Sequence, residues 1–358
     1  MTDWLRVTYR VRASSDHIEG RARSIALEQS VEMGIDAVTD PWVLEHVVGR
    51  VEEITEEADH SYRVVIGLSA ITVGDNSAQL LSMLFGNVSL QGDVDLVDVE
   101  LPSSILDGFG GPNHGISGLR RLTAAPERPL TCSALKPQGA PTAALAELCR
   151  QLAGAGIDIV KDDHGLADQD TSPFDERVKA CQGAVLSSGT GALYAPSIVG
   201  TPRQVAQRLE VAAGEGVRVV LIAPMVYGLP AFGELTMDHP DIAFLAHPAF
   251  AGTGRIAPAL LFGKLFRLYG ADSVIYPNYG GRFAYTPTEC TAIARGARGS
   301  WHTFRPALPV PAGGMSVERV GEIVEFYGPD VMLLISGDLL ASPNVARQAE
   351  RFVQAVKS

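Results

Sequence analysis

Residues Leu130–Gly165 read LTCSALKPQGAPTAALAELCRQLAGAGIDIVKDDHG. The stretch begins with an apolar run, Leu130–Leu135, which has the length and composition of a buried strand. A plausible helix follows over Pro141–Ala153, and a second apolar run follows over Gly156–Val160. A strand, a helix and a second strand within about 30 residues predict a parallel βαβ unit, the building block of α/β folds.

The same alternation continues along the rest of the sequence. Eight apolar runs fall within about 230 residues, and eight strand–helix repeats in that length are typical of a (β/α)8 TIM barrel. A doubly wound sheet is the alternative, but no GxGxxG motif follows the first run. The predicted strands are Leu130–Leu135, Gly156–Val160, Ala192–Ile198, Val217–Ile222, Ile242–Leu245, Ser273–Tyr276, Leu308–Val310 and Val331–Ile335. The predicted helices include Pro141–Ala153, Thr201–Gly214, Pro258–Tyr269, Ser316–Tyr327 and Pro343–Val356.

The first third of the chain has a different pattern. Leu5–Val11 alternates apolar and polar residues, and Asp16–Gln29 carries apolar residues at helical spacing. This mixture predicts a small α+β, ferredoxin-like domain over residues 1–120, followed by a barrel over residues 121–358. Further predicted elements there are strands at Arg50–Ile54 and Ser61–Ser69 and a helix at Asn76–Leu84.

Composition and charge exclude several classes of protein. Of the 358 residues, 46% are apolar and 20% are charged, which supplies a core and excludes global disorder. The net charge of −12 argues against nucleic acid or an anionic membrane surface as the main partner. There is no apolar run of membrane-spanning length and no signal-peptide pattern. The four cysteines form no CxxC pair, which predicts reduced thiols and a cytoplasmic location.

Polar side chains follow several of the predicted barrel strands, where a (β/α)8 barrel places its active site. Lys136 follows the first strand, Lys161–His164 the second and His247 the fifth, and Arg282 lies in the loop after the sixth. Each of them alone could be a rim salt bridge, a buried structural histidine or part of a solvated loop. Their placement at one rim predicts an active site.

The residue types at this rim suit enolate chemistry. Asp163 and His164 offer an oxygen and a nitrogen ligand and, with one more anionic ligand, could hold Mg²⁺. Such an ion stabilises an enediolate, and Lys136 could move protons as a base or an acid. Gly313–Gly314 after strand seven and Ser336–Gly337 after strand eight predict a phosphate site, although a glycine pair alone can be a tight turn.

Five segments resemble the RuBisCO superfamily and occur in the same order along the chain. An α+β domain followed by a barrel also matches, so the resemblance covers nearly the whole sequence. It implies a homodimer in which the N-terminal domain of one subunit completes the barrel site of the other. The segments are FGNV (Phe85–Val88), SALKPQG (Ser133–Gly139), GIDIVKDDHG (Gly156–Gly165), LAHPAF (Leu245–Phe250) and PAGGM (Pro311–Met315).

The resemblance also implies a role for each matching residue. Lys136 matches a lysine that moves protons during enolisation. Lys161 matches the lysine that becomes a carbamate and binds Mg²⁺, and Asp163 matches an aspartate ligand. His164 stands where the family has a glutamate ligand, and His247 matches a histidine that contacts the substrate.

Other positions match loosely or depart from the family. Glu28 and Asn87 match N-terminal residues that reach the partner's site, and Arg282 falls near the lysine of a mobile loop. Gln138 replaces a second lysine, and Pro248 replaces an arginine that grips a phosphate. Carbon dioxide fixation on a bisphosphate needs these groups, so we expect no carboxylase activity. The resemblance therefore implies that the phosphate site after strands seven and eight is retained and that the second phosphate site, at Pro248, is lost.

The resemblance is therefore to RuBisCO-like proteins, which keep metal-assisted enolate chemistry. The favoured hypothesis is decarboxylation of a phosphorylated 3-oxo sugar acid, 3-oxo-isoapionate 4-phosphate, to a tetrulose phosphate in carbohydrate catabolism. The alternatives are an enolase or isomerase of methionine salvage acting on a methylthio-pentulose phosphate, and a transcarboxylase/hydrolase on the branched substrate. A non-catalytic protein that binds a sugar phosphate is a further alternative, against which the retained Lys161–Asp163 argues.

Overall fold

The computed structural model describes residues Asp3–Lys357. The chain divides into two compact units. The first contains the residues up to Phe109 together with Ala251–Leu261, and the second contains Gly110–Phe250 and the residues from Phe262 onward. The domain bounds 1–120 and 121–358 stay a prediction, and residue 120 lies within a helix of the second unit.

The first unit contains a four-stranded antiparallel sheet. Its strands are β1 (Trp4–Arg12), β2 (Arg50–Glu56), β3 (Ser61–Ser69) and β4 (Val94–Glu100). They are hydrogen-bonded in the order β2-β3-β1-β4, and Val7 of β1 pairs with Ile66 of β3 and Val99 of β4. This order, with helices after β1 and β3, is the ferredoxin-like arrangement that the sequence predicts.

Apolar periodicity explains the elements of this unit. Every second residue of β1 is buried, because successive side chains of a strand point to opposite faces. The helix that follows buries residues spaced three and four apart, which form one face of a helix. The buried apolar residues are Leu5, Val7, Tyr9 and Val11 in β1, where Thr8 is buried as well, and Ile18, Ala22, Ile25 and Ala26 in the helix.

Eight parallel strands follow in the second unit. They are β5 (Leu130–Leu135), β6 (Ile159–Asp162), β7 (Leu193–Ala195), β8 (Val219–Ile222), β9 (Ala243–Ala246), β10 (Ser273–Pro277), β11 (Leu308–Ala312) and β12 (Met332–Leu334).

Each strand lies beside the next in chain order, and the last closes on the first. Met332 of β12 pairs with Leu130 of β5. Between β7 and β8, Leu221 N donates to Pro196 O at 2.9 Å and Ile198 N donates to Leu221 O at 2.8 Å. β11 and β12 lie side by side. The predicted (β/α)8 barrel is confirmed.

The interior of the barrel is a packed apolar core, so a site can form only at its ends. The core takes side chains from all eight strands and from the helix before β5. It includes Ile116, Leu119, Leu130, Cys132, Ile159, Ala195, Val219, Leu221, Ala243, Leu245, Ile275, Leu308, Val310 and Met332.

The bounds of the second barrel strand correct a prediction. The sequence places this strand at Gly156–Val160, with the polar residues after it, but β6 runs from Ile159 to Asp162. Lys161 and Asp162 are therefore inside the strand, paired in register with Ala134 and Leu135. An apolar run cannot reveal this extension, because the two side chains are charged, although they are buried and hydrogen-bonded to nearby groups.

The α-helices cover the strands and fill the connections. In chain order they are α1 (Ile18–Glu28), α2 (Pro41–His46), α3 (Ser77–Phe85), α4 (Ser103–Leu106), α5 (Gly115–Leu122), α6 (Thr142–Gly154), α7 (Phe174–Ser188), α8 (Pro202–Gly214), α9 (Pro224–Tyr227), α10 (Leu229–Asp238), α11 (Pro258–Leu260), α12 (Phe266–Leu268), α13 (Pro287–Arg298), α14 (Val320–Tyr327), α15 (Gly337–Leu340) and α16 (Val345–Lys357). Short 3₁₀ turns lie at Ile35–Ala37, Ala70–Thr72, Asn87–Leu90, Ala251–Thr253 and Val317–Arg319.

Two predicted helices are less regular than expected. The helix predicted at Pro258–Tyr269 consists of α11, a π-helical turn at Leu261–Leu265 and α12. Within the π turn, Gly263 lies so close to α13 that a Cβ there would be 3.0 Å from Ile293 O. The helix predicted at Ser316–Tyr327 begins with a 3₁₀ turn before α14. Across residues 3–357, no helix combines the length and apolarity needed to cross a membrane.

Candidate active site

Lys136 and Asp163 meet at the carboxyl ends of two neighbouring strands. Lys136 directly follows β5, and Asp163 directly follows β6. Because parallel strands end at the same edge of a barrel, the two side chains converge. Lys136 Nζ lies 2.6 Å from Asp163 Oδ2, while the lysine side chain remains 39% exposed. The rim therefore presents a partly exposed ammonium group paired with a largely buried carboxylate.

Lys161 is buried beneath this pair, with only 2% of its surface exposed. It shares a strand face with Asp163, two residues on, and its Nζ donates to Asp162 O at 2.9 Å. Burial lowers the pKa of Lys161, although the neighbouring thiol of Cys132 and the carboxylate of Asp163 oppose the shift. A neutral amine is the form that can react with carbon dioxide to give a carbamate.

Asp163 is held as a carboxylate. Burial alone would raise its pKa, but hydrogen bonds to His164 and Lys136 and the charges of two lysines hold the pKa of Asp163 well below its usual range. His164 Nδ1 lies 3.4 Å from Asp163 Oδ1. Asp163 is thus available as an anionic ligand at any physiological pH.

His247 reaches the same group of residues from the far side of the barrel. Its ring stacks on the His164 ring, with the centroids 4.3 Å apart and the planes 12° from parallel. Ala249 N donates to His247 Nδ1 at 3.1 Å, so in the neutral ring Nε2 carries the proton. Burial, and then the charge of Lys161, lower the pKa of His247 to about 2. His247 is therefore a neutral hydrogen-bond donor.

The glycine pair after β11 is brought against Arg282. Gly313 and Gly314 have φ values of 88° and 96°, a region that glycine adopts without strain. Arg282 N donates to Gly313 O at 2.8 Å, and a Cβ at Gly314 would lie 3.0 Å from Arg282 Cγ. A Cβ at Gly281 would collide with Gly313 O. The Arg282 guanidinium itself lies 5.6 Å from the centroid of the Phe283 ring. An arginine and two glycine amides on adjoining loops are groups that can bind an anion.

The loop after β12 is tied to the first barrel strand. Ser336 Oγ accepts a hydrogen bond from Ala134 N at 2.7 Å, and Gly337 begins α15. The structure thus places Ser336 and Gly337 at the same end of the barrel as Lys136. Their role in phosphate binding stays a prediction.

Glu28 and Asn87 lie together in the first unit. Asn87 Nδ2 donates to Glu28 Oε1 at 2.9 Å. Their predicted contribution to a partner's site is a property of an assembly and stays a prediction.

The residues present fit a divalent metal only if Lys161 takes part. Among residues 3–357, no cluster of three His, Cys, Asp or Glu side chains could hold a metal ion. Asp163 and His164 could supply two ligands, and a carbamate on Lys161 would supply the third, with an oxygen that Mg²⁺ favours. Burial lowers the pKa of Lys161 and so favours the neutral amine that this modification requires.

The sequence analysis did not predict one buried cluster of polar side chains, which surrounds Asp162. Asp162 Oδ1 accepts from Tyr194 Oη at 2.7 Å, and Asp162 Oδ2 accepts from Arg177 Nε and Ser197 N, each at 3.1 Å. Arg177 is fully buried although it belongs to the apolar face of α7 that begins at Phe174. A lone arginine three residues into an apolar helical face was the available signal, because such a charge needs a buried partner.

The barrel also matches a known family in sequence. Residues 115–348 match the family model described as ribulose bisphosphate carboxylase large chain, catalytic domain. A relative from Rhodospirillum rubrum, named 5-methylthioribulose-1-phosphate isomerase, is 49% identical over 99% of this chain and 97% of its own. The chain is a RuBisCO-like protein.

Two further relatives place this RuBisCO-like protein within its family. The crystal structure of a Rubisco-like protein from Rhodopseudomonas palustris has a TM-score of 0.92 and 46% identity, over 99% of this chain and 97% of the other. A Geobacillus thermodenitrificans protein named 2,3-diketo-5-methylthiopentyl-1-phosphate enolase is 32% identical over 95% of this chain and 88% of its own. These names agree with the enolase or isomerase alternative better than with the decarboxylase hypothesis.

Proposed function

We propose that this RuBisCO-like protein is a metal-dependent isomerase of a methylthio-pentulose phosphate. The reaction would remove a proton from the carbon beside the carbonyl, pass through an enediolate and add a proton to another carbon. The observation that carries the proposal is the arrangement of Lys136, Asp163 and the buried Lys161 at one rim of the barrel. The end-to-end similarity to the R. rubrum isomerase supports this substrate class.

The metal site is proposed at Lys161, Asp163 and His164, with Lys161 as its carbamate. Mg²⁺ bound there would act as a Lewis acid that favours negative charge on the substrate oxygens. To bind the metal, Asp163 would give up its ion pair with Lys136.

Each remaining residue has a separate task in this proposal. Lys136, freed from Asp163, would first release a proton to solvent; the neutral amine then accepts the proton from the substrate carbon, and the resulting ammonium returns a proton to another carbon. His247 donates a hydrogen bond from Nε2 to a substrate oxygen. Arg282 and the backbone amides of Gly313 and Gly314 hold the phosphate, together with Ser336 and Gly337.

We also propose that the protein is a homodimer and that it is located in the cytoplasm. A homodimer would let Glu28 and Asn87 of one subunit complete the barrel site of the other. A cytoplasmic location agrees with four cysteines that are all buried free thiols. The expected partner is a small sugar phosphate, with no nucleic acid and no membrane.

The proposal is tested by proton NMR in D₂O with Mg²⁺ and bicarbonate. With 5-methylthioribulose 1-phosphate, we expect an isomeric product and deuterium on the carbons beside the carbonyl, without release of CO₂. Release of CO₂ from 3-oxo-isoapionate 4-phosphate would restore the decarboxylase hypothesis. Turnover of 2,3-diketo-5-methylthiopentyl 1-phosphate instead would identify an enolase.

Removing the carbamate-forming lysine is expected to weaken metal binding. Lys161→Ala should lower Mn²⁺ affinity at least about tenfold, because even groups that only orient a ligand contribute that much. Mn²⁺ titrations followed by electron paramagnetic resonance measure this affinity. Bicarbonate should tighten Mn²⁺ binding in the wild-type protein and leave the variant unchanged. Equal affinity in both proteins, with and without bicarbonate, would remove Lys161 from the metal site.

A further inference from the structure

The carboxyl end of the barrel is charged on one side and uncharged on the other. Lys136, Asp163 and Arg282 belong to the loops after β5, β6 and β10. In contrast, the chain carries no charged side chain at residues 196–200, 223–230 or 248–250, which follow β7, β8 and β9. A ligand that spans the barrel mouth therefore meets charge at one end and apolar groups at the other.

The strand order decides how a ligand would lie across this mouth. In a closed barrel of eight strands, the third and fourth strands are opposite the seventh and eighth. β7 and β8 are thus opposite β11 and β12, after which Gly313–Gly314 and Ser336–Gly337 follow. A ligand whose phosphate is held at these glycines would extend across the barrel mouth toward the residues that follow β7 and β8.

Two large apolar side chains project from these loops. Val226, in α9 after β8, is 58% exposed, and Phe250, after β9, is 64% exposed. Phe250 has a φ of 67°, which a bulky residue rarely adopts and which proteins retain chiefly at functional sites. His247 lies three residues earlier and stacks on His164, so the loop that carries Phe250 starts at the site.

We propose that Val226 and Phe250 form an apolar lip that binds the uncharged end of the substrate. The lip selects a methylthio group over a hydroxyl group or a second phosphate. This inference rests on the proposed isomerase function and assigns the specificity of the same site. Two features support it together: the exposure of both side chains, and the absence of charged side chains from residues 196–200, 223–230 and 248–250, the β9–α11 connection carrying its charge further along, at Arg255.

The test compares how the protein handles two ketose phosphates that differ only at the end away from the phosphate. The KM or competitive inhibition constant is measured for 5-methylthioribulose 1-phosphate and for ribulose 1-phosphate. In Phe250→Ala we expect the constant for the methylthio compound to rise about tenfold, because an apolar pocket discriminates by that order per group. The constant for ribulose 1-phosphate should change less than about threefold.

Two further variants complete the experiment. Leu186→Ala removes a side chain that is 69% exposed near the far end of α7, and it should leave both constants unchanged. Phe250→Arg should tighten inhibition by ribulose 1,5-bisphosphate about tenfold, as expected for a charge-assisted hydrogen bond to phosphate. Light scattering reports the oligomeric state of each variant.

The outcomes separate the lip from the proposed function. An active wild-type protein with the same substrate preference as Phe250→Ala would overturn the lip alone. A variant that dissociates but keeps its preference would make Phe250 a subunit contact and would also overturn the lip. A wild-type protein that neither converts nor binds the methylthio compound would contradict the proposed function and the lip with it.

Discussion

Replacing Lys136 with methionine is expected to lower the kcat of isomerisation by about 10²–10⁴-fold, the usual contribution of a general base. Methionine keeps an unbranched apolar stem but cannot carry a proton. The amine that is lost lies 2.6 Å from Asp163 Oδ2, at the rim where the proposed mechanism places the substrate carbon. Because this ion pair is partly exposed, its loss should cost little stability.

The measurement is turnover of 5-methylthioribulose 1-phosphate, together with the rate of deuterium incorporation from D₂O. Both should fall in parallel, while Mn²⁺ affinity stays within about threefold because Asp163 remains in place. Lys179→Met, the same change on the exposed face of α7, serves as the control. Deuterium exchange at the wild-type rate in Lys136→Met would assign the proton transfer to another group.

Arg177→Met is expected to lower the free energy of unfolding by about 3–5 kcal/mol, the cost of breaking a buried ion pair. Arg177 has no exposed surface and donates to Asp162 Oδ2 at 3.1 Å. It also donates to three carbonyl oxygens of the β6–α7 loop: Leu166 O at 3.1 Å, Ala167 O at 2.6 Å and Ser172 O at 2.7 Å. The variant leaves the Asp162 carboxylate buried without its cation.

Urea denaturation measures this loss, and its pH dependence identifies the cause. Burial already raises the pKa of Asp162, and loss of the arginine charge should raise this pKa further. A carboxyl group whose pKa is raised by folding gains stability as the pH falls, so the deficit should shrink toward acid pH. Arg203→Met, on the exposed side of α8, should change stability by less than about 0.5 kcal/mol. A deficit that does not depend on pH would contradict the role of the Asp162 charge.

Much of this architecture could be predicted from the sequence because its pattern is repetitive. The barrel strands are mainly apolar on both faces, so each gives a short apolar run between helical segments, and all eight were located. The bounds of β6 were wrong because Lys161 and Asp162 are buried by specific partners, which an apolar pattern does not register. The π turn within Pro258–Tyr269 was also missed, because hydrophobic spacing does not distinguish one extra residue in a turn.

The sequence predicted which residues form the candidate site better than it predicted how their side chains contact one another. The rule that polar residues gather at the carboxyl ends of barrel strands places Lys136 and Asp163 together, as found. The stacking of His247 on His164 joins loops of the second and fifth barrel strands, and no local spacing encodes it. The Asp162–Arg177 pair depends on the alternation of side chains along β6, which becomes evident only once the strand is known to include residue 162.

The hydrogen bond between Ala134 N and Ser336 Oγ joins residues that are 202 positions apart in the chain. During synthesis, β5 leaves the ribosome long before β12 exists, so its hydrogen-bonding edge stays open while about 200 further residues are added at about 5–20 residues per second. An open apolar strand edge is prone to pair with other chains. The closure of the barrel therefore makes this protein dependent on its last strand for protection against aggregation, and release of a truncated nascent chain before Met332 would leave that edge exposed.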